Sequence, residues 1–166
     1  MWPFATFLAE SIGGRGGWVY TDSAMNIHVR LANMDDIPAM LGFDQLAQQP
    51  GSGRENFIRG AVADRTAWVA TLPGQVVGYG VLEYTFFACG FISMVYVHQA
   101  YRRCGVGQAL LDGLEKACQT PKLFTSTNLS NLPMRALLTK RGYVESGIIH
   151  NLDEGDPEVV YFKRVE

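Results

Sequence analysis

Two arginines, a cysteine and two glycines fall within six residues, Arg102-Arg103-Cys104-Gly105-Val106-Gly107. An apolar run rich in aromatic and β-branched residues, Phe91 to Val97, precedes them. Ala109, Leu110, Leu111 and Leu114 then begin a helical stripe. The order reads as strand, turn, glycine-bearing loop and helix. The first backbone N–H groups of a helix lack intrahelical partners and carry partial positive charge. Glycines let main chain approach a large anion, and arginines add full charge. The segment predicts a phosphate or pyrophosphate cradle.

The spacing separates the kinds of cradle. A nucleotide-hydrolase loop needs G-x-x-x-x-G-K-[ST], and both its spacing and its lysine are missing. A dinucleotide fingerprint needs G-x-G-x-x-G. Gly105 and Gly107 match, but Leu110 takes the third glycine, and Lys122 to Ser126 hold no ribose-binding acid about 20 residues on. Arg102-x-x-Gly105-x-Gly107 instead resembles the [QR]-x-x-G-x-[GA] signature of the GNAT superfamily of N-acetyltransferases. The resemblance implies that acetyl-coenzyme A is the co-substrate and that no metal is needed. Its pyrophosphate would lie over Arg102, Arg103, Cys104, Gly105, Val106, Gly107 and Gln108. Its pantetheine arm would pair with the main chain of Val95, Tyr96 and Val97 like an added strand.

A second block, Asn131-x-x-Met134-x-x-Leu137-Leu138-x-x-x-Gly142-Tyr143, is similar to another pattern of that superfamily. Asn131 is expected near the arm or as a helix cap. Many relatives carry at position 138 a tyrosine that protonates the departing thiolate, and leucine cannot do so. Tyr143, Tyr101 and Cys104 are the replacements considered, with Tyr143 also read as core. One branch of the superfamily places a glutamate where Phe91 stands. Glu83, on the preceding strand, is the carboxylate nearest in sequence, and His98 and His150 are further base candidates. The site residues are thus Glu83 and Tyr143 for catalysis, with the loop, strand and Asn131 for the cofactor.

These side chains need a framework. Asn26 to Leu31 reads as a first strand. Asn33 to Asp36 offers helix caps before Ile37, Met40, Leu41 and Leu46, and Arg54 to Arg65 reads as a second helix. Strands are expected at Ala67–Leu72, Val76–Phe87, Phe91–Val97, Lys122–Asn128, Tyr143–His150 and Val159–Arg164. Helices are expected over about Gly105 to Thr120 and Asn131 to Arg141. This order is that of the GNAT fold: an α/β domain with a mixed twisted sheet of about six to seven strands, helices on both faces, and a splay between the two parallel strands. The domain spans residues 25–166. Residues 1–24 form an extension whose Gly13-Gly14-Arg15-Gly16-Gly17 tract argues against order, while Trp2, Phe4 and Phe7 could dock on the domain or on a second subunit of a homodimer.

Composition narrows the function. The 166 residues suffice for one cored domain, and a formal net charge of −2 argues against a nucleic-acid module driven by bulk charge. Cysteines 89, 104 and 118 and histidines 28, 98 and 150 show no metal spacing. A reducing, cytoplasmic setting and no membrane span are expected. The reading is an acyltransferase moving acetyl to a primary amine, with a small molecule favoured as acceptor. The alternatives are a non-catalytic acyl-coenzyme A sensor and a dinucleotide-binding domain. The acidic Asp153, Glu154, Asp156 and Glu158 would either attract a cationic amine or form a solvated turn.

Overall fold

Alternating apolar segments pair into one seven-stranded sheet. In the computed structural model, which describes residues 26–165, the strands are β1 (His28–Leu31), β2 (Ala67–Leu72), β3 (Gln75–Phe86), β4 (Cys89–Val97), β5 (Lys122–Asn128), β6 (Val144–Ile149) and β7 (Glu158–Arg164). The expected extension, with the docking considered for Trp2, Phe4 and Phe7, lies outside the described residues. The spatial order is β1-β2-β3-β4-β5-β7-β6. Only β4 and β5 run parallel. A parallel pair needs a crossover, and α3 (Val106–Ala117) supplies it.

The sheet is covered on both faces, as expected. Tyr79, Val81, Met94 and Tyr96 pack with Ile37 and Met40 of α1 (Ile37–Phe43) and with Ile58 and Val62 of α2 (Arg54–Ala63). On the other face, Leu82 and Ile92 pack with Leu111 and Leu114 of α3 and Leu138 of α4 (Leu132–Lys140). Ala70 and Val77 complete that layer with Val106 and Leu110.

Helix α1 is shorter than expected. The apolar pattern carried α1 on to Leu46, but the helix ends at Phe43 and Leu46 is exposed. The reason is local. Asp44 Oδ1 accepts the backbone N–H groups of Leu46 (2.9 Å) and Ala47 (3.2 Å), so the chain turns instead of continuing.

Helix α3 lies against the sheet at glycines. A Cβ built on Gly113 would stand 2.5 Å from Val29 Cγ1 and 3.0 Å from its Cβ. Gly113→Ala must push α3 off β1. The expected cost is about 1–3 kcal/mol, read as a lower denaturation midpoint at unchanged m-value.

Candidate active site

The two parallel strands separate almost at once. Backbone pairing joins Gly90 to Leu123, Phe91 to Phe124 and Ile92 to Thr125, and stops there. Thr125 Oγ1 donates to the Ile92 carbonyl at 2.8 Å on the last rung. Ser93 follows as the extra residue of a bulge, because Val81 pairs with Met94 while Leu82 pairs with Ile92. From here β4 stays with β3 as far as Val97, and β5 stays with β7 as far as Asn128. The sheet opens as a V, and the main chain of Ser93 to Val97 has an edge without a neighbouring strand. Ser93 Oγ is buried at the closed end and has no hydrogen-bond partner among the described residues.

The predicted cradle stands at the mouth of the V. Arg103 has φ 64° and Gly105 has φ 85°, so the loop makes two left-handed turns before α3. Ala109 N–H donates to the Gly105 carbonyl at 2.9 Å, the first rung of the helix. The N–H groups of Val106, Gly107 and Gln108 have no partner among the described residues. Arg103, Cys104, Gly105 and Gln108 are exposed, whereas the Val106 side chain is buried with Ala70 and Val77. Val106 therefore offers only main chain. Arg102 lies across the mouth. Its Nε donates to the Val97 carbonyl at 3.3 Å, and its guanidinium sits 5.9 Å from the Tyr96 ring centroid.

The two glycines differ in backbone conformation. Gly105 is needed for its left-handed backbone. A Cβ on Gly107 would meet Leu137 Cδ2 at 3.4 Å and Val97 Cγ2 at 3.8 Å. Both are ordinary contact distances, so the packing of α3 on α4 does not by itself demand a glycine there.

Asn131 is committed at its helix end. Its Oδ1 caps α4 through Met134 N–H (3.3 Å), and its Nδ2 donates to Thr127 Oγ1 (2.9 Å). Leu138 is 0 % exposed inside the core. Tyr143 is 3 % exposed in the same cluster. Its hydroxyl makes no hydrogen bond, and burial, then the neighbouring Glu115 carboxylate, push its pKa up. Cys118, from the same end of α3, lies against Gly90, where the ladder is still paired. Tyr101 donates to Gln75 Oε1 at 2.9 Å, and Cys104 Sγ approaches the Arg102 carbonyl at 3.4 Å. His98 Nδ1 accepts Ala100 N–H at 3.0 Å. His150 is exposed beside the acidic loop. Asp153 and Asp156 are tied to Asn128 Nδ2 (2.7 Å) and Ser130 Oγ (2.6 Å), so half of that loop's carboxylates brace it.

Glu83 faces the α1/α2 side, in register with Phe91. It thus stands across from the strand position where the resemblance placed a glutamate. Thr85 Oγ1 donates to Glu83 Oε1 at 3.0 Å. The sequence reading missed three residues near the V: Ser93, Asp44 and Arg54. Asp44 is 0 % exposed, accepts the Tyr79 hydroxyl at 2.6 Å, and pins the α1–α2 loop to β3. That contact raises the Tyr79 pKa, after burial as the larger cause. No local sequence signal marks a buried aspartate that follows a helix. Among the described residues, no His, Cys, Asp or Glu group could hold a metal, and no helix is long and apolar enough to cross a membrane.

A wide hollow of about 460 Å³ lies elsewhere, beside Met34, Ile37, Pro38 and Leu41. None of its lining residues belongs to β4, β5, α3 or α4, so it is separate from the V.

The family model for the GNAT acetyltransferases matches residues 37–143, which include the V and its cradle. The chain belongs to the GNAT acetyltransferase family. It is an acyltransferase. A GNAT-family acetyltransferase from Bacillus cereus is 29 % identical, with TM-score 0.78 over 84 % of this chain and 98 % of that one. The ribosomal-protein-S18-alanine N-acetyltransferase of Escherichia coli shares the fold at 21 % identity, with TM-score 0.70 over 84 % and 94 %. A Bacillus anthracis acetyltransferase solved in complex with acetyl coenzyme A aligns at TM-score 0.55 and 20 % identity, over 59 % and 61 %. No curated protein matches the sequence.

Because the Tyr143 hydroxyl is buried and unpaired, its removal sacrifices no hydrogen bond. Tyr143→Phe should keep the melting temperature within a few degrees and turnover within about threefold. A hundredfold loss of turnover with the fold intact would make it the relocated acid.

Proposed function

We propose that this GNAT acetyltransferase moves acetyl from acetyl-coenzyme A to the primary amine of a small molecule. The observation that carries the reading is the unpaired β4 edge with the bare α3 N-terminus at its mouth. Three features fit the co-substrate: the free N–H groups of Val106, Gly107 and Gln108, the strandless edge of Ser93 to Val97, and the unpartnered Ser93 hydroxyl. Anions favour a helix N-terminus, and a polar arm can use main chain as another strand would. When bound, the co-substrate supplies an electrophilic thioester carbonyl.

The chain's own residues divide the remaining work. Arg102, Arg103 and the loop N–H groups hold negative charge at the mouth. Val95, Tyr96 and Val97 align an arm by main chain. The α1–α2 loop is pinned on the opposite face by Asp44 to Tyr79. Glu83 takes the proton that an ammonium must lose before its nitrogen attacks. Leu138 supplies no proton to a leaving group, and a thiolate of ordinary pKa near 8.5 departs tolerably without one. Positioning is then the main contribution. The three cysteines are unpaired, in keeping with a cytoplasmic setting.

The test has two parts. Gly105→Val forces a β-branched residue to φ 85° and should weaken coenzyme A binding at least about tenfold by calorimetry. Unchanged affinity with intact fold would overturn the cradle. An amine screen read by product mass should find acetyl transfer, and Glu83→Gln should lower it about 10²–10⁴-fold. Binding without turnover on any amine would overturn the transferase reading in favour of a sensor.

A further inference from the structure

We infer that the acceptor is a free α-amino acid with a large apolar side chain. This rests on the acetyl-transfer reading above and names the substrate class for the same site. The key residue is Arg54, which opens α2 and turns inward over the sheet. Its side chain is 18 % exposed. Nη1 lies 3.2 Å from Met94 Sδ, and the guanidinium carbon is 5.7 Å from the Phe57 ring centroid. Thioether sulfur is a weak acceptor. The nearest carboxylate is Asp44, at 3.7 Å from Nε. Both Asp44 oxygens are already taken, by the Tyr79 hydroxyl and by the N–H groups of Leu46 and Ala47. Asp44 therefore steadies the charge without filling the fork. The Nη edge of a half-buried guanidinium is left with no oxygen among the described residues, in the geometry that takes a carboxylate with two parallel hydrogen bonds.

Met94 places this cation beside the bulge, at the closed end of the V. Val81 pairs with Met94, and Glu83 lies two residues further along β3 on the same face. An α-amino acid carries its ammonium and its carboxylate on one carbon, so a substrate lying on this face presents one to each side chain. Glu83 receives the amine that is to be acetylated, and Arg54 receives the carboxylate.

A third subsite adjoins them. Phe86 stacks on Phe91 (centroids 4.9 Å apart), Phe124 is 5.2 Å from Phe86, and Phe162 is 5.1 Å from Phe124. These rings are half-exposed and belong to none of the buried clusters. Phe91 shares the face of Glu83 by register. A phenylalanine floor beside a cation and an anion complements a zwitterion with an apolar side chain. An amine at a protein N-terminus lacks the adjacent carboxylate and leaves Arg54 unfilled.

The experiment compares kcat/KM for acetyl transfer by the full chain to L-phenylalanine, L-methionine, phenethylamine, phenylalanine amide and a peptide beginning with phenylalanine. The free amino acids should exceed the three amines that lack an adjacent α-carboxylate by about 100-fold or more, since a site built to pair a polar group rejects analogues without it. Arg54→Gln should collapse that ratio to below about fivefold through KM for the amino acid, and Arg54→Lys should restore part of it. If Arg54→Gln does not fold, the native enzyme's ratio decides alone. Equal rates with and without the carboxylate, or preference for the peptide, overturn this inference and leave acetyl transfer standing. No turnover of any amine while coenzyme A binds overturns both.

Discussion

The site depends on one hydroxyl. Thr125 Oγ1 takes the Ile92 carbonyl at the last rung of the β4–β5 ladder. A buried carbonyl needs a donor, and here a side chain supplies it where a continued ladder would use backbone. The strands can then part without leaving that carbonyl unsatisfied. Each keeps its full pairing with its outer neighbour, so the V is held open by β3 and β7. The main chain assigned to the cofactor arm lies along the edge thus released, and the assigned cradle stands at its mouth.

The bulge at Ser93 does a second job. In a regular strand Phe91, Ser93 and Val95 would share a face, with Ile92, Met94 and Tyr96 on the other. One extra residue reverses the alternation. Ile92 joins Val95 among the residues packed with α3 and α4, while Phe91 falls on the same face of the sheet as Met94 and Tyr96. The same bulge that marks the closed end of the V thereby sets Phe91 and Glu83 on one surface. In the proposed arrangement the cofactor groups lie at the α3 side and mouth, the acceptor groups on the opposite face, and the open seam joins them.

Much of this was legible. Ala67–Leu72 and Lys122–Asn128 have the boundaries that their composition implies, and the Arg102-to-Gly107 spacing announced both the loop and the helix after it. Long apolar segments bounded by glycine and proline carry their own punctuation. The bulge was not legible, because Phe91 to Val97 is apolar on both faces and its alternation is masked. Asp44 and Arg54 were missed for a related reason: their roles come from contacts with Tyr79 and Met94, about 35 to 40 residues away in the chain. Leu138 was read as a vacancy for chemistry. Its complete burial shows that the α4 block also makes core, with Asn131 spent on the helix cap.

That division bears on how the enzyme can tolerate leucine at 138. A general acid is worth about 10²–10⁴-fold, whereas holding two reactants in line contributes an effective molarity of about 10⁵–10⁸ M. The smaller contribution is the one this chain lacks at the familiar place. The larger rests on rigid parts: a strand edge fixed by β3, a helix terminus fixed by the buried Val106 and Leu110, and a loop pinned by the buried Asp44–Tyr79 hydrogen bond. A thiolate leaving group needs little help near neutral pH, while an ammonium acceptor needs its proton removed. Under the proposed reaction, positioning and a base are the two demands, and the base is assigned to Glu83 on the face it shares with Phe91.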